Sequence, residues 1–398
     1  MEELWLMHGD VRVAKISVDP QGSIKSIVKI ESTDHMPPGT LTDGWETTVR
    51  LNEWWSKRAI PASRWKLYQR IKEIGTETPE SLMIKSMGIS LSDNYWTAPV
   101  GEHTEWSDMN YYQNEFSDDV GDLIFGRIDT GCISFNSPDS TLNGNLKKRW
   151  KIIDGNRILI KGGSGVARQE PFNEVIASMI MSKLGISHVE YDVRIMGREP
   201  YSLCRCFSSP EKEFVPSWGL IGSTERKEGE TLYEYTLRAH SDFGLDDAEG
   251  FFERMIVVDY LLANEDRHFG NFGIMRDPAS LDPIGFAPIF DSGSSLGFNQ
   301  PTVWIRDGYD LGCMPFKITH RDQIRLVSSF DWLDLDSLDG IGDEVRDIFG
   351  IGGTTVDCDR SVAISDYLER RISSLSSFMD SHLPRLDDPR TDLVISTK

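Results

Sequence analysis

The sequence predicts an α+β protein of two lobes, one strand-rich and one mostly helical, preceded by a small mixed region. Three observations carry this. Strand-like alternation marks the first 30 positions and returns at 150–161, 189–196 and 202–207, around one helical stretch. A helical apolar period dominates after about 230. The length of 398 residues suits two or three packed units at roughly 100–200 residues each. The expected boundaries are an accessory region at 1–125, a small lobe at 126–207, a large helical lobe at 208–385 and a frayed polar tail at 386–398.

Val11 to Val18 and Ile24 to Ile30 read as strands around a Pro20-Gln21-Gly22 turn. Helical patterns follow at Leu51–Trp55, Ala62–Ile74 and Thr78–Ser86, the last opened by Thr78-Pro79-Glu80. Asp93 to Asp122 is aromatic-rich and reads as a packed, irregular segment. Residues 150–161 (WKIIDGNRILIK) read as a hairpin, because Asp-Gly tolerates the left-handed backbone of a tight turn. Residues 170–184 carry a helical period closed by Gly185. Val189–Met196 and Ser202–Phe207 are strand-like, Thr231–His240 and Ala248–Ala263 helical. Short strands and loops occupy Asn264–Gly297, and a further helix covers Ser361–Phe378.

Composition narrows the function classes. A net charge of −21 repels polyphosphate backbones and anionic lipid, which speaks against direct nucleic-acid or membrane binding. Any phosphate site must be a local basic island or a metal cradle, and Lys147, Lys148, Arg149 and Lys151 form the conspicuous basic cluster. The five cysteines make no pair at zinc spacing, and Cys204-x-Cys206 fits alternation on a strand. No apolar run approaches the roughly 18 residues of a membrane span, and MEELWLMHGD carries acids where a signal peptide carries Lys or Arg. These features read as a cytoplasmic protein with reduced thiols.

The chemistry concentrates after the Ala248–Ala263 helix, in Asn264-Glu265-Asp266-Arg267-His268-Phe269-Gly270-Asn271. Asp266 and Asn271 stand five apart, the spacing at which kinase catalytic loops place a base and a metal-binding amide. A carboxylate can orient an attacking hydroxyl and take its proton, while an amide oxygen helps hold Mg²⁺ without adding charge. Twenty residues on, Phe290-Asp291-Ser292-Gly293 puts a second carboxylate at the end of a short apolar strand. Upstream, Ile158-Leu159-Ile160-Lys161 is a strand ending in a lysine suited to ATP phosphates. The next helix offers Glu170 and Glu174 as its partner, with Glu174 preferred because it lies inside the helical period. Ser140 to Lys148, containing Gly144, can form a loop over the phosphates. Cys204 to Phe207 would line the adenine end as hinge backbone.

At these residues, from about Ser137 to Asn299, the chain resembles the HipA family of bacterial serine/threonine kinases. The resemblance covers Gly144-x-x-x-Lys148, Ile160-Lys161, Asn173-Glu174, Lys183-Leu184-Gly185, Asp266-x-His268-x-x-Asn271 and Phe290-Asp291. It implies a two-lobed kinase-like fold, ATP and Mg²⁺ as cofactors, Asp266 as the catalytic Asp, and Asn271 and Asp291 on the metal. Lys161, Glu174, Gly144, Lys148, Cys204, Phe207 and His268 would surround the nucleotide. Family members are silenced by phosphorylation of a Ser in the loop before the Gly; Thr141 takes that place here, with Ser140 adjacent. The family also implies a protein substrate and, in its toxins, an antitoxin partner. A lipid kinase and a silent kinase-like binding module are the competing readings.

Overall fold

The computed structural model describes residues 1–61, 78–126, 133–309, 311–351 and 355–381. The expected helix at Ala62–Ile74, Cys132 and the polar tail lie outside these residues. The described chain is α+β, with antiparallel sheets and helices, as the sequence predicts. The described residues pack as two compact units: those within 1–160, 205–225 and 274–285, and those within 161–204, 226–273 and 286–381.

The first unit opens with an antiparallel sheet of β1 (Glu2–His8), β2 (Val11–Val18), β3 (Ile24–Ile30) and β4 (Tyr95–Pro99), in the order β3-β2-β1-β4. Gly9, at φ +54°, makes the tight β1–β2 turn. Leu4, Leu6, Val13 and Ile16 share a core with Leu51, Trp54 and Trp55 of the helix Glu46–Arg58. Thr78 caps the helix Pro79–Lys85 through a reciprocal box with Ser81. The segment expected to be irregular between Asp93 and Asp122 instead contains β4 and the helices Trp106–Met109 and Asp119–Phe125. Its many aromatics hid that periodicity, since Trp96, Trp106 and Tyr111 are all buried in one cluster. β5 (Lys148–Ile153) and β6 (Asn156–Gly162) form the expected hairpin, with Asp154 and Gly155 both left-handed at φ +50° and +74°.

In the second unit the helix Glu170–Lys183 ends before Gly185, whose φ of +64° closes it. β7 (Tyr191–Met196) and β8 (Glu199–Arg205) pair antiparallel across Gly197-Arg198. Thr231 and Glu234 form a capping box on Leu232–Asp242, and the apolar helix Ala248–Leu262 terminates at left-handed Ala263. Phe252 anchors the core against Phe272 and Phe316 at ring distances of 5.6 and 5.9 Å. The helix Cys358–Ser381 runs longer than the expected Ser361–Phe378.

Three short strands complete the first unit: β9 (Glu213–Pro216), β10 (Gly273–Arg276) and β11 (Pro283–Phe286), in the order β11-β10-β9. Adjacent strands thereby bring Glu213 to Arg276. The Glu213 carboxylate accepts from Arg276 Nε at 2.6 Å, from Asn94 N at 3.0 Å and pairs with His8 Nε2 at 2.9 Å.

Candidate active site

The second unit gathers Lys161, Glu174, Tyr191, Asp259, Asp266, Arg267, Asn271 and Asp291. Lys161, near the end of β6, is almost fully buried, so its ammonium needs partners. It donates to Glu174 Oε1 at 2.9 Å, Asp291 Oδ1 at 2.8 Å and Tyr191 Oη at 3.2 Å. Burial works against the charged lysine, but Asp291 and then Glu174 outweigh it and hold the group well above its usual range. Burial pushes the Glu174 carboxyl up, and Lys161 opposes that.

Of the two candidate glutamates, Glu174 is the lysine's partner. One helical turn earlier, Glu170 accepts from the Ser164 amide at 3.1 Å and from its hydroxyl, and so braces the Gly162–Gly165 turn. Glu174 also uses its second oxygen, accepting from Ser292 N at 3.0 Å. The carboxylate therefore spans the lysine and the loop that follows Asp291.

Asp291 has φ +57°, a left-handed conformation that few non-glycine residues adopt and that Asp tolerates better than most. Asn173 supplies further restraint, donating to Gly293 O at 2.8 Å and Ser295 O at 2.7 Å. The Asp291 side chain keeps 29% of its surface exposed, against 5% for Lys161 and 3% for Glu174. The Asp291 carboxylate is thus the member of the three that reaches solvent.

The loop after Ala263 is built around Arg267, which is fully buried. Arg267 grips Asp259 with Nε at 3.0 Å and Nη2 at 3.0 Å, and donates to Asn271 O at 3.0 Å, Ser292 Oγ at 2.9 Å and Phe290 O. One guanidinium ties the apolar helix, the Asp266–Asn271 loop and the Asp291 segment together. Asn271 Nδ2 donates to Asp266 O at 2.9 Å. This bond fixes which end of the amide is nitrogen, so the oxygen is the end available to a cation. Asp266 itself is exposed. Half-buried Glu265 beside it is pushed up to about 7, by burial and then by Asp266.

Among the described residues no cluster of three or more His, Cys, Asp or Glu side chains forms a metal cage. One amide and one carboxylate nevertheless fit Mg²⁺, which keeps water and phosphate oxygens in most of its positions.

The other expected residues have these surroundings. His268 is exposed and its Nδ1 accepts from Gly270 N at 3.0 Å, a local turn contact. Cys204 is buried in β8 of the second unit, whereas Phe207 belongs to the first unit. Gly144 and Lys148 also belong to the first unit, with Gly144 at φ +96°. Half of the basic cluster proves structural: Arg149 is buried against Asp118 and Asp122, and Lys151 reaches Asp118 at 2.9 Å. Spacing alone could not reveal these acids, which stand some 30 positions upstream. Ser140 and Thr141 lie in a 3₁₀ turn, Pro138–Thr141. The Ser140 hydroxyl is buried on Ser86, and Thr141 Oγ1 donates to Pro138 O at 2.8 Å.

Sequence reasoning assigned no role to Arg267, Asp259 or Tyr191. The available signal was Asp259 itself, a carboxylate inside the apolar run Met255-Ile256-Val257-Val258-Asp259-Tyr260-Leu261-Leu262, where only a paired charge is tolerated.

No family model matches the chain. Over 131 residues, 31% of this chain, the sequence is 30% identical to the serine/threonine-protein kinase CtkA of Helicobacter pylori. That stretch covers 40% of the relative's length. The kinase likeness read from the motifs is supported by this match. Among solved structures, the proinflammatory kinase CtkA of Helicobacter pylori aligns with TM-score 0.46 and 19% identity, over 59% of this chain and 94% of that one. HipA of Shewanella oneidensis MR-1, solved with HipB and operator DNA, aligns with TM-score 0.43 and 13% identity, over 97% of this chain and 92% of that one. No helix among the described residues is long and apolar enough to cross a membrane.

Proposed function

We propose that this chain is an ATP-dependent protein kinase of the HipA-like type, transferring the γ-phosphoryl group to a serine or threonine hydroxyl. The observation that carries the reading is the hold on Lys161, whose ammonium lies 2.9 Å from Glu174 and 2.8 Å from Asp291. Phosphoryl transfer asks little covalent chemistry of a protein; it asks for charge neutralisation and positioning. A buried lysine tied to a helix carboxylate and to a second, part-exposed carboxylate supplies both.

In this reading Lys161 turns from Asp291 toward phosphate oxygens when nucleotide enters, while Glu174 keeps its aim. Asp266 accepts a hydrogen bond from the substrate hydroxyl, orients it and takes its proton as the new P–O bond forms and the bridging oxygen leaves with ADP. Asn271 and Asp291 would hold Mg²⁺, which when bound withdraws charge from the phosphate oxygens. Arg267 keeps Asn271 and the Asp291 segment in register. Thr141, with Ser140 beside it, is the proposed self-modification site, and the packing of that turn requires it to open first. A toxin role and an antitoxin-like partner belong to the same proposal and rest on the motif resemblance.

Intact mass after incubation with Mg-ATP tests the reading, comparing the wild-type protein with Asp291→Asn and adding a generic protein substrate. Phosphate transfer by the wild type, lowered by orders of magnitude in the variant, is the expected result. Equal transfer by both, or a wild type that neither transfers phosphate nor binds Mg-ATP in a titration, overturns it.

A further inference from the structure

Two consecutive amides hold the left-handed turn at Asp291, and each is received by a group that also holds Lys161. Ser292 N donates to Glu174 Oε2 at 3.0 Å while Glu174 Oε1 takes the lysine. Asp291 N donates to Tyr191 Oη at 3.3 Å while the same oxygen receives Lys161 Nζ at 3.2 Å. Glu174 thus has a counterpart on β7. Both link the ammonium to the backbone of the Asp291 segment, one from the helix side and one from the strand side.

The hydrogen count sharpens the point. A lysine ammonium has three hydrogens, and Glu174, Asp291 and Tyr191 account for all three. When Asp291 turns to a metal and Lys161 to phosphate, the Asp291 bond is given up. Glu174 and Tyr191 are then the two groups that still aim the lysine. A left-handed φ is uncommon even for an aspartate, and at Asp291 these two amide bonds hold it.

We infer that Tyr191 is a positioning residue whose hydroxyl couples Lys161 to the Asp291 backbone, so that the lysine and the metal-binding carboxylate are set together. For its kinetic consequence the inference rests on the kinase reading; for the geometry it does not.

Tyr191→Phe keeps the ring and its packing and removes only the hydroxyl, so it is the informative variant. Two measurements on the full chain are needed: crystal structures of wild type and variant, and steady-state phosphoryl transfer across ATP and Mg²⁺ concentrations. The expected structural result is a displaced Lys161 ammonium and an Asp291 that leaves its left-handed φ. The expected kinetic result is a kcat about tenfold lower with KM for ATP nearly unchanged, because one charge-assisted hydrogen bond is lost from the reacting arrangement. A role limited to packing would lower stability without this split. An unchanged Lys161–Asp291 arrangement in the variant overturns the inference whatever the rates. If the arrangement shifts but the wild type transfers no phosphate, the positioning role stands and the kinase reading falls.

Discussion

In the first unit, the Glu213 carboxylate divides its two oxygens among Arg276, His8 and the Asn94 amide, and Arg276 in turn donates to Tyr95 Oη at 3.0 Å. In the second, the Glu174 carboxylate divides between Lys161 and Ser292 N, and the lysine reaches on to Asp291 and Tyr191. Both networks set a buried carboxylate, a cation and a tyrosine hydroxyl on separate chain segments. They differ in what remains open. Glu213 and His8 have no exposed side-chain surface and Arg276 keeps 3%, whereas Asp291 keeps 29% and sits at a left-handed φ. A closed network of this kind serves to fix strands. In one whose second carboxylate reaches solvent, that carboxylate could exchange a partner, as the proposed function requires.

The contrast can be broken most sharply at the loop beside the open network. Asp266→Asn, at an exposed position, is expected to lower phosphoryl transfer roughly 10²–10⁴-fold with the thermal midpoint unchanged. Rate assays and a melting curve on the same sample check it; near-normal turnover would remove Asp266 from its role.

At the closed network the expectation reverses. Glu213→Gln leaves Arg276 without its buried counter-charge and should cost about 3–5 kcal/mol of stability, read by urea denaturation, while activity per folded molecule is kept. Burial alone would raise Glu213, but His8 and Arg276 outweigh it and bring the carboxyl down from 4.5 to about 2. A carboxyl depressed in the folded state contributes stability that is fully present above pH 4.5 and is lost as pH falls toward 2. Wild-type stability should therefore decline through that window, and the decline should shrink in Glu213→Gln.

The smallest effect belongs to a pair outside either network. Lys29 and Glu31 meet at 2.7 Å, but their side chains are 62% and 36% exposed. Lys29→Ala should change stability by less than about 0.5 kcal/mol, and a larger loss would mean that surface pairing matters more here than solvent screening allows.

Much of this was legible in the sequence, for identifiable reasons. Asp266 and Asn271 lie in one short loop, so their separation is a local property of the chain. The Asp154-Gly155 turn, the Gly185 helix stop and the Thr78 and Thr231 caps are equally local, each following from what one residue's backbone or side chain can do within a few positions. These signals sufficed for the α+β class and for naming Lys161, Glu174, Asp266, Asn271 and Asp291 as candidates.

Which residues meet was decided by the tertiary structure. The choice of Glu174 over Glu170 depends on where the Gly162–Gly165 turn folds back, and Glu170 is claimed by Ser164. Arg149 and Lys151 read as a phosphate island until Asp118 and Asp122 reach them from some 30 residues away. Arg267 and Tyr191 stand among polar and apolar neighbours of ordinary appearance, and each acquires its part by bonding to segments 20 to 100 positions distant. The sequence determined the local conformations and the chemical groups on offer, because propensity, turn chemistry and spacing act over a few residues. The pairing of buried charges was left to packing, because a charge removed from water takes whichever partner the assembled fold brings within reach.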